Sequence, residues 1–266
     1  MCYRFENYVE VEGALVNKSK LRIGERHNRL KQFAEKYSFV HTNGFAHEAL
    51  PVYTIQNPDK PQWYKWGLIP HWVKAKDKDG KALTARQNAM ETWSNTLNAK
   101  SETIFKLPSF SPYIKSRRCL IPATAFFEWH HKNAKEKFPY RIMVKDYEEA
   151  DSTRTFHFGG LYSTWVDPDN GETFNTFSIV TVPANKKMEF IHNSKKRMPL
   201  ILHSYDEEKW LDPKMGEKEL TELMLPYPDE YLTAYTIRKK ITNTKEDANV
   251  PETLNAEGYD GIPETL

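Results

Sequence analysis

The sequence predicts an α+β fold: one domain with a curved, mostly antiparallel, barrel-like β core and peripheral helices. Three observations point there. The 266 residues are enough for one sizeable core. Hydrophobic residues make up 39% and aromatics 13%, the make-up of a globular chain rather than a disordered one. Strand-length apolar runs outnumber helical patterns and follow in irregular order, unlike the strict β-α-β alternation of a doubly wound sheet. No repeat, low-complexity block or linker divides the chain. Residues 1–244 read as the domain. Residues 245–266, acidic and containing Pro and Gly, read as a loop-like tail.

Taken in order, Cys2 to Val11 alternates loosely and reads as an opening strand. Lys18 to Tyr37 is a helix candidate, because Leu30, Phe33, Ala34 and Tyr37 recur at helical spacing among charged neighbours. Residues 44–75 hold short strands, Trp63 to Pro70 among them, and the charges of residues 74–82 suggest a solvated connector. Cys119 to Pro122 opens an apolar strand that runs toward Glu128 and Trp129. Tyr140, Ile142 and Val144 share a strand face. Gly159 to Tyr162 and Phe177 to Val182 add two strands. Pro183 suits a first helical position, with Ala184, Met188 and Ile191 following at i, i+4 and i+7. Ser204 and Glu207 have capping-box spacing for a short helix through Trp210, and Leu232 to Ile237 is a late strand.

The net charge of +2 does not make the chain a polycation, so nucleic-acid binding would need a local basic face. Two cysteines, Cys2 and Cys119, build neither a disulfide framework nor a cysteine zinc site. No metal and no cofactor are expected. No apolar run is long enough to span a bilayer, and Glu6, Glu10 and Glu12 interrupt any signal peptide. The expectation is a cytoplasmic monomer.

Several stretches carry chemistry. Removal of Met1 ahead of a small residue would leave Cys2 with a free amine beside its thiol. The two groups titrate near about 8 and about 8.5, so both have some nucleophilic form at neutral pH. Such a 1,2-aminothiol condenses with an aldehyde and closes a thiazolidine ring. Asn98 can orient an amine or a carbonyl; an Asn there equally suits a helix N-cap, and Asn88 sits in a similar string ten residues earlier. Glu128 lies between Phe127 and Trp129, where desolvation would raise its pKa into the range of a general acid or base, unless it points into water from an edge strand. His192 precedes a basic loop and is either a proton shuttle or a capping histidine. Lys195, Lys196 and Arg197 form a solvated turn or a phosphate grip. Trp66 and Trp72, around Gly67 and Pro70, belong to the core or, if exposed, stack on unpaired bases.

Met-Cys at the terminus, WGLIPxW from Trp66, NAxSET from Asn98, RCLIPAxxFFEW from Arg118 and a His ahead of RMPLIL from Arg197 together resemble the SRAP family, the SOS response-associated peptidase-like, abasic-site-processing proteins. The matches run in order from residue 1 to about 202. The resemblance implies a compact α+β domain with a positive groove for single-stranded DNA. It also implies covalent capture of the abasic-site aldehyde as a thiazolidine, with crosslink reversal and a minor lyase step. By position, Cys2 is the covalent residue and Asn98 holds the terminus and sugar. Glu128 is the acid/base and His192 the shuttle, with His203 the alternative. Arg4, Lys100, Arg118 and Arg197 would contact phosphates, and Trp66 would contact DNA. Three departures stand out: Tyr3 where many members have Gly, Lys100 where Arg is usual, and four residues between His192 and Arg197. Two rival readings remain, a thiol peptidase using Cys2 with His192 and a non-catalytic module for single-stranded nucleic acid.

Overall fold

The computed structural model describes residues 2–7, 39–78, 81–145, 153–242 and 248–266. The helix expected between Lys18 and Tyr37 lies outside them, as does the far end of the opening strand.

In chain order the strands are β1 (Arg4–Asn7), β2 (Phe39–Asn43), β3 (Ala49–Thr54), β4 (Asn57–Trp66), β5 (Lys76–Lys78), β6 (Lys81–Leu83), β7 (Asn98–Lys100) and β8 (Arg118–Ala123). They continue with β9 (Ala125–His131), β10 (Lys137–Lys145), β11 (Thr153–Arg154), β12 (Phe156–Val166), β13 (Thr173–Pro183), β14 (Arg197–Pro199), β15 (Ile201–Leu202) and β16 (Leu232–Thr236). The helices are α1 (Ala85–Asn95), α2 (Ser111–Ser116), α3 (Lys186–Ile191), α4 (Glu207–Leu211) and α5 (Glu217–Leu223).

Strands β13, β4, β3, β8 and β12 pair in that order, and β12 pairs back onto β13, which closes a five-stranded barrel. A second sheet runs β11-β10-β9-β1-β2, with β16 also on β10. Pairing is antiparallel throughout except where β13 meets β4 and β7. Closure leaves few strand edges open to other chains. The α+β class and the curved, mostly antiparallel core match the reading of the sequence.

The two sheets meet over aromatic side chains. Phe5, fully buried on β1, packs edge-on against Trp66 at 5.2 Å and Phe158 at 5.6 Å. Each such pair is worth about 0.5–1.5 kcal/mol beyond its buried area, so the chain's first strand is seated in the core. Gly67 supports this arrangement. Its φ is +108°, and a Cβ there would lie 2.2 Å from the Trp93 ring, so the turn after Trp66 accepts only glycine.

Three local expectations change. Strands β5 and β6 pair antiparallel, with Lys76 opposite Leu83 and Leu83 buried, rather than forming a bare connector. Pro183 ends β13. Helix α3 starts at Lys186 because the Asn185 side chain accepts from the Met188 amide at 2.8 Å. The Ser204 box does not form: α4 begins after Asp206, and Glu207 instead accepts from His157 Nδ1 at 2.9 Å. From residue 248 the tail is bonded to the domain. Leu266 exchanges backbone hydrogen bonds with Ala234 (2.9 and 3.1 Å), and Thr236 N donates to Glu264 O at 2.8 Å. Among the described residues no helix is long and apolar enough to cross a membrane, and no three His, Cys, Asp or Glu converge as a metal site.

Candidate active site around Cys2

Cys2 precedes β1 and is buried. Strand β1 is fixed on both flanks, with Arg4 opposite Asn43 of β2 and Phe5 opposite Phe126 of β9. One turn of the strand further on, Glu6 is fully buried and clamped. Arg141 of β10 donates to it through Nε (2.7 Å) and Nη2 (2.6 Å), and Thr124 Oγ1 donates at 2.9 Å. Arg141 Nη1 also donates to the Tyr235 hydroxyl at 2.8 Å. A bidentate pair of this kind fixes both position and direction. It locks β1, which Cys2 precedes, to β10, the strand paired with the Glu128 strand β9.

Asn98 opens β7, parallel to β13, and is not a helix cap. Its Nδ2 donates to the Cys2 carbonyl at 2.9 Å, and since a carbonyl only accepts, the amide's orientation is fixed. Asn98 Oδ1 is then a buried acceptor with no partner among the described residues. Asn88, the similar residue on α1, is spent on the Lys74 carbonyl at 2.8 Å.

Glu128 lies on β9, opposite Tyr140 of β10. Burial and then the Glu128 charge push the Tyr3 phenol pKa up, which puts Glu128 near the start of the chain. The carboxyl is buried, and desolvation raises its pKa to about 8, with the positive amino terminus pulling the other way. Glu128 is therefore mostly a carboxylic acid at neutral pH. The same burial, reinforced by the Glu128 charge, pushes the Cys2 thiol well above the usual thiol range.

His192 caps the end of α3. Its Nδ1 sits 2.9 Å from the Arg197 carbonyl, which makes Nδ1 the protonated nitrogen. Nε2 is thus the acceptor, and it faces Glu128 Oε2 at 3.8 Å. Burial, then the nearby amino-terminal charge, lowers the imidazole pKa to about 4, so it is neutral at pH 7. Its position comes from a staple between α3 and β9. His130 Nδ1 bonds the Phe190 carbonyl at 2.8 Å, and Asn193 exchanges bonds with the His131 backbone at 2.9 and 3.0 Å. The four residues between His192 and Arg197 turn back through Lys196 at φ +50°, returning the chain to β14. His203 stacks between Tyr205 and Tyr227 instead, so it is His192 that stands against Glu128.

Cys2, Asn98, Glu128 and His192 therefore come together from four elements far apart in sequence. The proposed contacts to DNA divide. Lys100 is exposed two residues beyond Asn98. Arg4 is half-buried, with Nη1 3.3 Å from His41 Nε2. Three expectations are corrected. Arg118 is fully buried and donates to the carbonyls of Trp210 (2.6 Å), Ile114 (2.7 Å), Lys115 (3.0 Å) and Asp212, so it ties α2 and α4 to β8 and reaches no phosphate. Arg197 is buried and engages Glu102 and the Thr181 carbonyl (2.6 Å), which leaves it a strut under β13. Trp66 is fully buried with its indole N–H on the Leu97 carbonyl at 2.9 Å, and it cannot stack on a base. Its neighbour Trp72 is 44% exposed, held by a bond from Nε1 to the Pro108 carbonyl at 3.2 Å. Sequence reasoning missed Glu6 and Arg141. The trace Glu6 leaves in the sequence is a charge in the opening strand, directly after Phe5.

Residues 1–244 match the family model described as SOS response associated peptidase (SRAP). The Bacillus subtilis protein named abasic site processing protein YoqW is 35% identical over 193 residues, 72% of this chain and 75% of that one. The Xenopus tropicalis protein named abasic site processing protein HMCES is 30% identical over 205 residues, 72% of this chain and 56% of its own length. A crystal structure of a Bacteroides thetaiotaomicron protein superposes with a TM-score of 0.76 at 32% identity, covering 95% of this chain and 98% of that one. A Bordetella bronchiseptica structure at 19% identity, with a TM-score of 0.64, shares the fold over 89% of this chain and all of its own. With the match running from residue 1 to 244, the chain belongs to the SRAP family.

Proposed function

We propose that this protein processes abasic sites, binding single-stranded DNA and joining the lesion to Cys2 once Met1 is removed. The observation that carries the reading is the Asn98 bond to the Cys2 carbonyl beside a buried Glu128 that burial holds as an acid. The names of the relatives agree with it.

An abasic sugar is mostly ring-closed, so its aldehyde has to be released. Glu128, protonated at neutral pH, gives its proton to the ring oxygen as the C1′–O4′ bond opens, and the resulting carboxylate takes up the C1′ hydroxyl proton as the aldehyde carbonyl forms. The neutral Cys2 amine adds to C1′, and loss of water leaves a Schiff base. The thiol then adds to the imine carbon and its proton passes to nitrogen, closing the thiazolidine. Sugar aldehyde plus aminothiol thus gives the ring plus one water. His192, with Nε2 as acceptor facing Glu128, relays protons between the carboxyl and the reacting groups. Asn98 fixes the terminus by its amide N–H, and its buried Oδ1 is available to a donor on the sugar or amine. Lys100 and Arg4 supply cations for the backbone, and Trp72, rather than Trp66, offers a ring for an unpaired base.

The test is incubation with a single-stranded oligonucleotide containing one abasic site, then a denaturing gel. A heat-stable shifted band is expected, together with an intact mass lacking Met1. Crosslinking by Cys2→Ser at the wild-type rate would refute the mechanism.

A further inference from the structure

We infer that Tyr3 and Phe45 form a stacking step for the nucleobase beside the lesion, a specificity element that this chain carries next to its nucleophile; this rests on the DNA reading above. Phe45 is 53% exposed. A single exposed aromatic is ordinary on a protein surface. This one is distinguished by its neighbour and its rigidity. Its ring centroid is 5.0 Å from that of Tyr3, tilted by 37°. Tyr3 directly follows Cys2 in the chain and is itself half-buried, packed against the main core.

The turn that presents Phe45 is fixed from every side. The Asn43 side chain accepts from the Phe45 amide at 3.2 Å, and Gly44 N donates to the Tyr3 carbonyl at 2.9 Å. A Cβ on Gly44 would lie 3.2 Å from the Trp66 ring and from Leu97, so the turn rests directly on the core. His47 closes it at φ +52°, with its ring on the Trp66 carbonyl (2.7 Å) and stacked on Trp93 at 4.2 Å. The fold holds an apolar ring out in water at a fixed angle, and burial cannot be the reason. A pre-set ring loses little entropy when a base stacks on it.

The occupant follows from the surroundings. A sugar held at Cys2 leaves the adjacent nucleotide within one residue of Tyr3. Arg4, next along β1 and paired with Asn43, places a cation on the same strand pair for the intervening phosphate. Purines offer more ring area than pyrimidines, so the step favours a purine flank. Stacking of one base on a protein aromatic is worth about 1–3 kcal/mol, roughly 5- to 150-fold in affinity.

The test uses single strands carrying a tetrahydrofuran abasic analogue, which has no aldehyde and so reports binding without crosslinking. 2-Aminopurine is placed on its 5′ or its 3′ side. Wild type is expected to change 2-aminopurine emission on one of the two sides and to bind a purine-flanked strand several-fold tighter than a pyrimidine-flanked one. The Tyr3→Ala, Phe45→Ala double variant should lose both effects and bind about tenfold more weakly at equal folded fraction, with a lowered melting midpoint because Tyr3 packs on the core, whereas Phe45→Ala alone should weaken binding with little change in the midpoint. Phe45→Trp should keep both effects. An emission change and flank preference that survive in the double variant, or that are missing from wild type, overturn the inference. Failure of a true abasic strand to crosslink to wild type would instead count against the reading of Cys2, and the tetrahydrofuran result would still decide the stacking step.

Discussion

Glu6 and Glu128 are both buried carboxylates on neighbouring strands, β1 and β9, yet their surroundings are opposite. Glu6 is met by two guanidinium nitrogens and a hydroxyl, all within 2.9 Å. Glu128 faces a histidine nitrogen that is itself an acceptor, at 3.8 Å, and its pKa rises to about 8. A buried charge needs an opposite charge and hydrogen bonds. Where the fold provides them, the carboxylate is a fastener. Glu128 lies beside a neutral imidazole and within reach of the amino-terminal charge, and there desolvation outweighs the cation, so the group holds its proton more tightly than an exposed carboxyl does. The contrast teaches that burial alone does not mark a site; a buried carboxyl whose pKa desolvation raises is the better candidate.

The comparison can be broken at either end. Glu128→Gln should slow crosslinking or its reversal about 10²- to 10⁴-fold, the usual contribution of a positioned acid or base, while leaving the melting midpoint equal or higher. Wild-type rates for both steps, read by quenched gels, would remove Glu128 from the chemistry. Glu6→Gln should do the reverse. Stranding Arg141 costs about 3–5 kcal/mol of stability, measurable by denaturant titration, and any fall in rate should follow the loss of folded protein. Arg118→Met should cost about 1–3 kcal/mol by leaving carbonyls unpaired, with no change in the salt dependence of DNA affinity. A weaker salt dependence would restore Arg118 to the DNA surface.

Stability against pH sharpens the contrast further. The folded pKa of Glu128 is raised, so between about 4.5 and about 8 the folded state holds the extra proton and stability falls as pH rises. His192 has a lowered folded pKa, so between about 4 and 6.5 the unfolded state holds the extra proton and stability rises with pH. The two slopes nearly cancel up to pH 6.5, and a fall remains from there to about 8. Glu128→Gln should abolish that fall and uncover a rise from about 4 to 6.5. An unaltered profile would mean that the carboxyl titrates as an exposed group does. The smallest effect is expected at Lys100→Ala, which should lower the slope of log affinity against log salt by about 0.7 on single strands.

Much was legible before folding. Cys2, Asn98, Glu128 and His192 stand in motifs that the fold brings together, and apolar runs from Cys119 to Val182 marked the strand-rich class. The errors have one cause. Arg118, Arg197 and Trp66 sit in the same motifs, and a motif states which residues recur, not which way they face. Glu6 and Arg141 were missed because their pairing spans 135 positions and no local pattern encodes it.

The sequence by itself determined the chemical inventory: a cysteine at position 2, a carboxyl between aromatics, and a histidine before a basic turn. Local propensity and alternation depend on near neighbours, so they can be read along a single chain. Only the tertiary structure decided which arginines are struts, which tryptophan meets water, and which glutamate keeps its proton. Each of these depends on what distant strands bring to the same few ångströms, and the energy of a buried charge is set there.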